Sequence, residues 1–202
     1  MFWYRCECKM GFQPYPRGWI FGYKLHLISS TDSIIVPLAA DVTTANIPDN
    51  QVYPELTSSS TSSKSKSKSG LSPEIIKKVH FMVADPDYDD HDLYESSLKI
   101  GFQLVCPIRR YGKTPEERLL RVDFYESPLG QVIYSKRSTS IEPLIEHFKS
   151  VFRIDPVPTR GYEKVRGIVL LSVLLYQILV YYKYRIQKNG NPRRMIKYLI
   201  GC

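Results

Sequence analysis

Two carboxylates and a set of cations are the residues of this chain with the types and spacing for chemistry. Asp85 closes the short apolar run Val79 to Ala84 and opens the acid-rich stretch Asp85-Pro86-Asp87-Tyr88-Asp89-Asp90. Glu142 lies in the segment from Tyr134 to Phe152, YSKRSTSIEPLIEHFKSVF, followed by Glu146, Lys149 and Arg153 at i+4, i+7 and i+11. On a helix those four line one face over about three turns. Carboxylates on two separate elements are what a divalent cation with oxygen ligands requires, and cations beside them suit phosphate oxygens. Two-metal phosphoryl transfer usually adds a third carboxylate. Each feature also has a plainer use. Asp85 can cap the helix that follows, and the Glu142 stripe can be the solvated face of an amphipathic helix with i,i+4 charge pairs.

The elements that must hold these residues follow from periodicity. Ile141, Leu144, Ile145, Phe148, Val151 and Phe152 recur at helical spacing and give the Glu142 segment a core-facing stripe. Val79 to Ala84 reads as a buried strand that delivers Asp85 at its carboxyl end, where sites are built in open α/β sheets. A helix capped near Asp89 or Asp90 and stopped at Gly101 leads to a strand from Phe102 to Cys106, so the two strands form a parallel, right-handed crossover. Pro107-Ile108-Arg109-Arg110 leaves that strand, and Thr114-Pro115-Glu116-Glu117 is a capping box opening a helix to about Tyr125. Upstream, Tyr23, Leu25 and Leu27 alternate with Lys24, His26 and Ile28, and with the run Ser33 to Val42 they predict an antiparallel hairpin. Pro37 puts its strand at an edge or a bulge. Asn46 to Leu56 reads as a short helix, with Pro48 near its first turn.

The tract Thr57 to Gly70, TSSSTSSKSKSKSG, cannot bury apolar surface and reads as a flexible loop, so a Ser/Lys-rich loop over 57–72 interrupts one domain. A helix from about Glu163 to Gln187 closes the chain. Its middle, Ile168 to Tyr182, is nearly all apolar, which predicts a helix buried on all sides. That run is some fifteen residues, short of the roughly 20 needed to span a bilayer, so a membrane anchor is set below a soluble reading.

The 202 residues carry a formal net charge of +8, and from Tyr134 to Cys202 there are 13 Lys and Arg against 4 Asp and Glu. The excess in the last third suits a polyanionic partner. Cys6, Cys8, Cys106 and Cys202 have no zinc-site spacing and read as free thiols. No apolar leader follows Met1, which reads as cytoplasmic residence. His91, with Asp87 and Glu95 at i±4, and His147, with Pro143 and Val151, are not read as metal ligands. Without a Gly-rich phosphate loop or a nucleophile elbow, P-loop nucleotide binding and Ser/His/Asp hydrolysis are set aside.

Taken together, GWIFGYKLHL, ADVTTANIPDN, VADPDYDD and YSKRSTSIEPLIEHFK resemble the DDE transposases of insertion sequences. The resemblance runs from Gly18 to about Tyr184. It implies an α/β, RNase H-like catalytic domain over 18–188, with 1–17 and 189–202 as tails. The family's signature sets Tyr, Arg, Glu and Lys in that order, and Tyr134, Arg137, Glu142 and Lys149 match it, with four residues between Arg137 and Glu142 where three are usual. Asp85 matches the family's second catalytic aspartate. The resemblance implies that Asp85 and Glu142 hold Mg²⁺ or Mn²⁺, and that Tyr134, Arg137, Lys149, Arg109 and Arg110 contact DNA. The implied partners are transposon ends and target DNA, with a homo-oligomer compatible and no membrane. The family's first aspartate comes from the strand before the GYKLH strand, and residues 1–17 contain no aspartate. The expectation is therefore a domain whose first central strand is missing or replaced by Phe2 to Tyr4: a truncated, inactive copy, or alternatively a non-catalytic DNA-binding remnant.

Overall fold

The computed structural model describes residues 9–13, 18–31, 34–57, 70–109 and 116–187. Most of the Ser/Lys tract, Arg110 to Pro115, and most of both tails lie outside the described residues. The elements, in chain order, are β1 (Lys9–Gln13), β2 (Gly18–Ser29), β3 (Pro37–Thr44), α1 (Asp49–Thr57), α2 (Pro73–Ile76), β4 (Phe81–Val83), α3 (His91–Ile100), β5 (Gln103–Val105), α4 (Glu116–Glu126), α5 (Pro128–Ser150) and α6 (Tyr162–Gln187). A 3₁₀ turn over Pro86–Tyr88 separates β4 from α3. The α/β class expected from the sequence is what the structure has. The chain divides into two compact units, 1–48 with 140–202, and 49–139, so that α5 begins in one and ends in the other.

The first unit is an antiparallel sheet in the order β1-β2-β3 with α6 laid along β3. Leu25 stands opposite Val42 and Leu27 opposite Ala40, and the register shifts at Ile28/Ser29, where Pro37 opens β3 without an N–H to give. Val165 and Val169 of α6 pack with Val42. Further along, Val173, Tyr176 and Val180 meet Leu144, Phe148 and Val151. Polar ties fix α6 lengthwise: the Tyr162 hydroxyl donates to Val42 O at 2.8 Å, Arg166 pairs with Asp41 at 3.0 Å, and Gln177 Nε2 donates to Pro37 O at 2.8 Å.

Before β2 stands β1, the outer strand of the sheet, which pairs with it antiparallel from Lys9↔Gly22 to Gln13↔Gly18 within KMGFQ, a segment with no acid; Phe2 to Tyr4 lie outside the described residues. One expectation needs correction in this unit: α6 is not buried all round. Leu171 is 63% exposed and Ile178 52%, because a three-stranded sheet covers one side of the helix while the apolar residues continue past it. The helix also outruns the fifteen-residue apolar middle. Tyr162–Ile186 is long and apolar enough, by length and composition, to cross a membrane, while its other face is committed to the core described above.

The second unit contains the parallel pair β4 and β5, registered Phe81↔Gln103 to Val83↔Val105, with α3 as the crossover. The Asp90 carboxylate caps α3 by accepting from Asp92 N at 2.9 Å, and Gly101 ends it at φ 117°, a left-handed conformation that a Cβ would strain. Leu93, Phe102, Leu104 and Cys106 form the core with Tyr53 of α1, whose hydroxyl meets Ser97 Oγ at 2.6 Å. β4 is not the buried strand expected: Phe81 is 39% exposed, and the strand is three residues long. Between α4 and α5 stands one residue, Ser127, whose Oγ donates to Phe124 O at 2.6 Å and accepts from Gly130 N at 3.1 Å.

Candidate active site

The acid-rich stretch leaves β4 at its carboxyl end, as the strand pattern requires, and each of its odd-numbered acids is met by an arginine. Asp85, with no side-chain bond to the turn it precedes, pairs with Arg137 of α5. Asp87 pairs with Arg109, just past β5. Asp89 pairs with Arg118 of α4, accepts from Arg109 N at 2.8 Å, and has Arg121 Nη1 at 3.8 Å. The even position, Asp90, is the helix cap. These pairs differ in environment. Asp87 is 64% exposed, so its ion pair is screened and weak, whereas the Asp89 side chain is 0% exposed.

Asp89 sits against a cavity of about 10 Å³, room for one water, lined also by Gln103, Cys106 and Arg121. Asp89 Oδ1, Arg121 Nε and Arg121 Nη2 are buried there without hydrogen bonds. The Arg121 guanidinium lies 4.9 Å from the centroid of the Tyr94 ring, a cation–π contact that offsets part of its desolvation. Burial pushes the Cys106 thiol up to about 12, and the Asp89 carboxylate pushes the same way. Cys106 is thus a protonated core residue, a free thiol as expected.

The expected site residues distribute as follows. Asp85 and Arg137 are brought together. Tyr134, one turn before Arg137 on α5, is partly buried and stacks edge-on against Tyr125 at 5.2 Å; burial raises its pKa, and the Arg137 charge opposes that. Arg109 is engaged by Asp87. Arg110 lies outside the described residues. Glu142 and Lys149 are exposed residues of the other unit, on the continuation of α5. Arg153 does not continue their stripe: α5 stops at Ser150, and Arg153 stands beyond it at φ 51°, a left-handed residue closing the helix end. Arg118 and Arg121 were not singled out from the sequence, and Asp89 only as a candidate helix cap. The only signal was two arginines three apart on α4, downstream of an acid cluster.

A parallel strand pair with a helical crossover, acids at the strand's carboxyl end and arginines pairing with them define an α/β unit. A family profile described as "Transposase DDE domain" matches residues 8–178, and the chain belongs to that family. No curated protein and no solved structure matches it.

The family typically works with divalent metals. Among the described residues no three of His, Cys, Asp and Glu come together as a cation cluster, and the acids after β4 are each occupied by an arginine or a helix cap. As they stand, these residues do not make a cation site.

Proposed function

We propose that this chain binds DNA as an RNase H-like transposase domain, spanning 18–188, and that by itself it does not cut or join strands. The observation that carries the reading is the Asp85–Arg137 pair: it joins the acid at the end of β4 to the helix that bears Tyr134, Arg137, Glu142 and Lys149. Asp85 and Glu142 remain the acids that the family resemblance assigns to Mg²⁺ or Mn²⁺; with Asp85 held by Arg137, no step of the proposed binding depends on a metal. The chain's own residues do the rest. Arg137, Lys149, Arg109 and Arg110 bind backbone phosphates and Tyr134 positions the strand, so affinity is largely independent of sequence. Arg137 has two partners in this reading, the Asp85 carboxylate without DNA and a phosphate with it. Catalytic silence follows from β1, whose KMGFQ offers no third carboxylate.

The test is DNA affinity measured by fluorescence anisotropy across salt concentrations. The double variant Arg137→Ala, Lys149→Ala is expected to bind more weakly, with a salt slope lower by about 2, since each lost phosphate contact removes about 0.9. Unchanged affinity and slope would place the DNA face elsewhere. A non-catalytic DNA-binding remnant is the second reading, and the same lack of an acid in β1 favours it.

A further inference from the structure

The paired acids after β4 fall into two kinds by what solvent can reach. The side chains of Asp85 and Asp87 are 47% and 64% exposed, and those of their partners Arg137 and Arg109 are 24% and 43% exposed. Water and salt reach both pairs, so either opens at little cost. The Asp89 side chain, 0% exposed and set between Arg118 and Arg121, is instead a permanent clamp. It also accepts from Arg109 N at 2.8 Å, which pins that residue's backbone and leaves the side chain to turn. Arg137 is likewise carried on fixed backbone, within α5. The run DPDYDD therefore combines one buried clamp with two pairs whose arginines can exchange partners.

We propose that Asp85 and Asp87 are built-in competitors of phosphate: each carboxylate occupies an arginine that a DNA backbone takes on binding, and the two together set how tightly the chain holds DNA. This rests on the DNA reading above. A carboxylate and a phosphodiester offer a guanidinium the same kind of paired oxygens, with charge-assisted bonds of similar strength. Moving Arg137 from Asp85 to a phosphate therefore gains little by itself, and the drive comes from the counterions that the strand releases. The acid left behind then stands beside the phosphate and repels it. Both effects weaken binding relative to the same arginines without the acids. In these pairs four arginines face three aspartates, so the acids cancel most of the positive charge that would draw a polyanion. The role needs no metal. It asks of Asp85 and Asp87 only that their charge meet Arg137 and Arg109.

Fluorescence anisotropy on the full chain with a labelled duplex of arbitrary sequence, in EDTA and over a range of salt, tests the competition, with far-ultraviolet circular dichroism as the control for folding. Asp85→Asn and Asp87→Asn keep the shape and remove the charge. Each is expected to tighten binding about two- to fivefold at low salt, the range of an exposed ion pair, and the double variant by roughly the product. The gain should fade as salt rises, because screening shortens the reach of the acids. Glu74→Gln, which removes the same charge from an exposed position on α2, is expected to change affinity less than either. In an Arg137→Ala chain the Asp85→Asn gain should vanish, since the competitor has nothing left to hold. If one amide variant fails to fold, the other still reads the competition. Amide variants that bind no tighter than the parent, where Arg137→Ala binds more weakly, would overturn this inference and leave the DNA reading standing. So would a gain that survives Arg137→Ala or is matched by Glu74→Gln. An affinity that both Arg137→Ala and Arg109→Ala leave unchanged would remove the DNA reading, and the inference with it.

Discussion

Asp89 belongs to the same short acid run as Asp87 and Asp90, yet of the three it alone is enclosed, between Arg118 and Arg121, with Arg109 N donating to it at 2.8 Å. Enclosure changes what its removal does. Losing an exposed ion pair such as Asp87 with Arg109 costs at most about 1 kcal/mol, whereas breaking a buried pair strands a cation out of water at a cost of about 3–5 kcal/mol. Asp89→Ala is therefore expected to lower unfolding stability by that larger amount and Asp87→Ala to change it little, as urea denaturation would show. Equal, small losses would mean that Arg118 and Arg121 reach solvent when unpaired. The contrast was not legible in DPDYDD, where every aspartate looks alike. Which acid is a helix cap, which faces an exposed arginine and which is enclosed depends on where α4 and β5 lie. Asp85 and the Tyr-Arg-Glu-Lys spacing were legible, since a strand end and a fixed helical interval are local features of the chain.

Among the elements, α5 and α6 show opposite uses of glycine. A Cβ built on Gly130 would stand 2.0 Å from Phe124 O and 2.9 Å from Tyr125 O, so the one-residue junction between α4 and α5 closes only without a side chain. At Gly167 a Cβ would meet nothing within 4 Å, and the position is an exposed helix interior. Gly130→Ala is expected to cost about 1–3 kcal/mol or more through overpacking against backbone that cannot yield. Gly167→Ala should stabilise the chain by about 0.8–1 kcal/mol through helix propensity. Thermal denaturation of the two variants should move in opposite directions, and a shift of the same sign would contradict the packing described. Element ends followed local chemistry where caps were written into the sequence, as at Asp90 and Gly101 of α3. They diverged where proline was permissive. α5 starts at Pro128, a favoured first-turn residue, six positions ahead of the Tyr134 expected, and it runs through Pro143, which has no N–H to give to the helical ladder. The exposed side of α6 was illegible for another reason: an apolar helix reads the same whether one face of it is covered or all of it.

For the molecule as a whole, the reading of a silent transposase domain makes a negative result specific. Incubated with supercoiled plasmid and Mn²⁺, the chain is expected to give no nicking above that of its Glu142→Gln variant. Nicking that disappears with Glu142→Gln would show that a third acid is supplied from somewhere other than β1. The order of the chain has one more consequence. The first unit is discontinuous, and the Tyr162 hydroxyl that ties α6 to Val42 comes from 120 residues further along. At synthesis rates of about 5–20 residues per second, β2 and β3 wait roughly 6–24 seconds on the ribosome for the helix that covers Val42. During that interval all of the second unit emerges, so the half of the protein begun first is the half finished last.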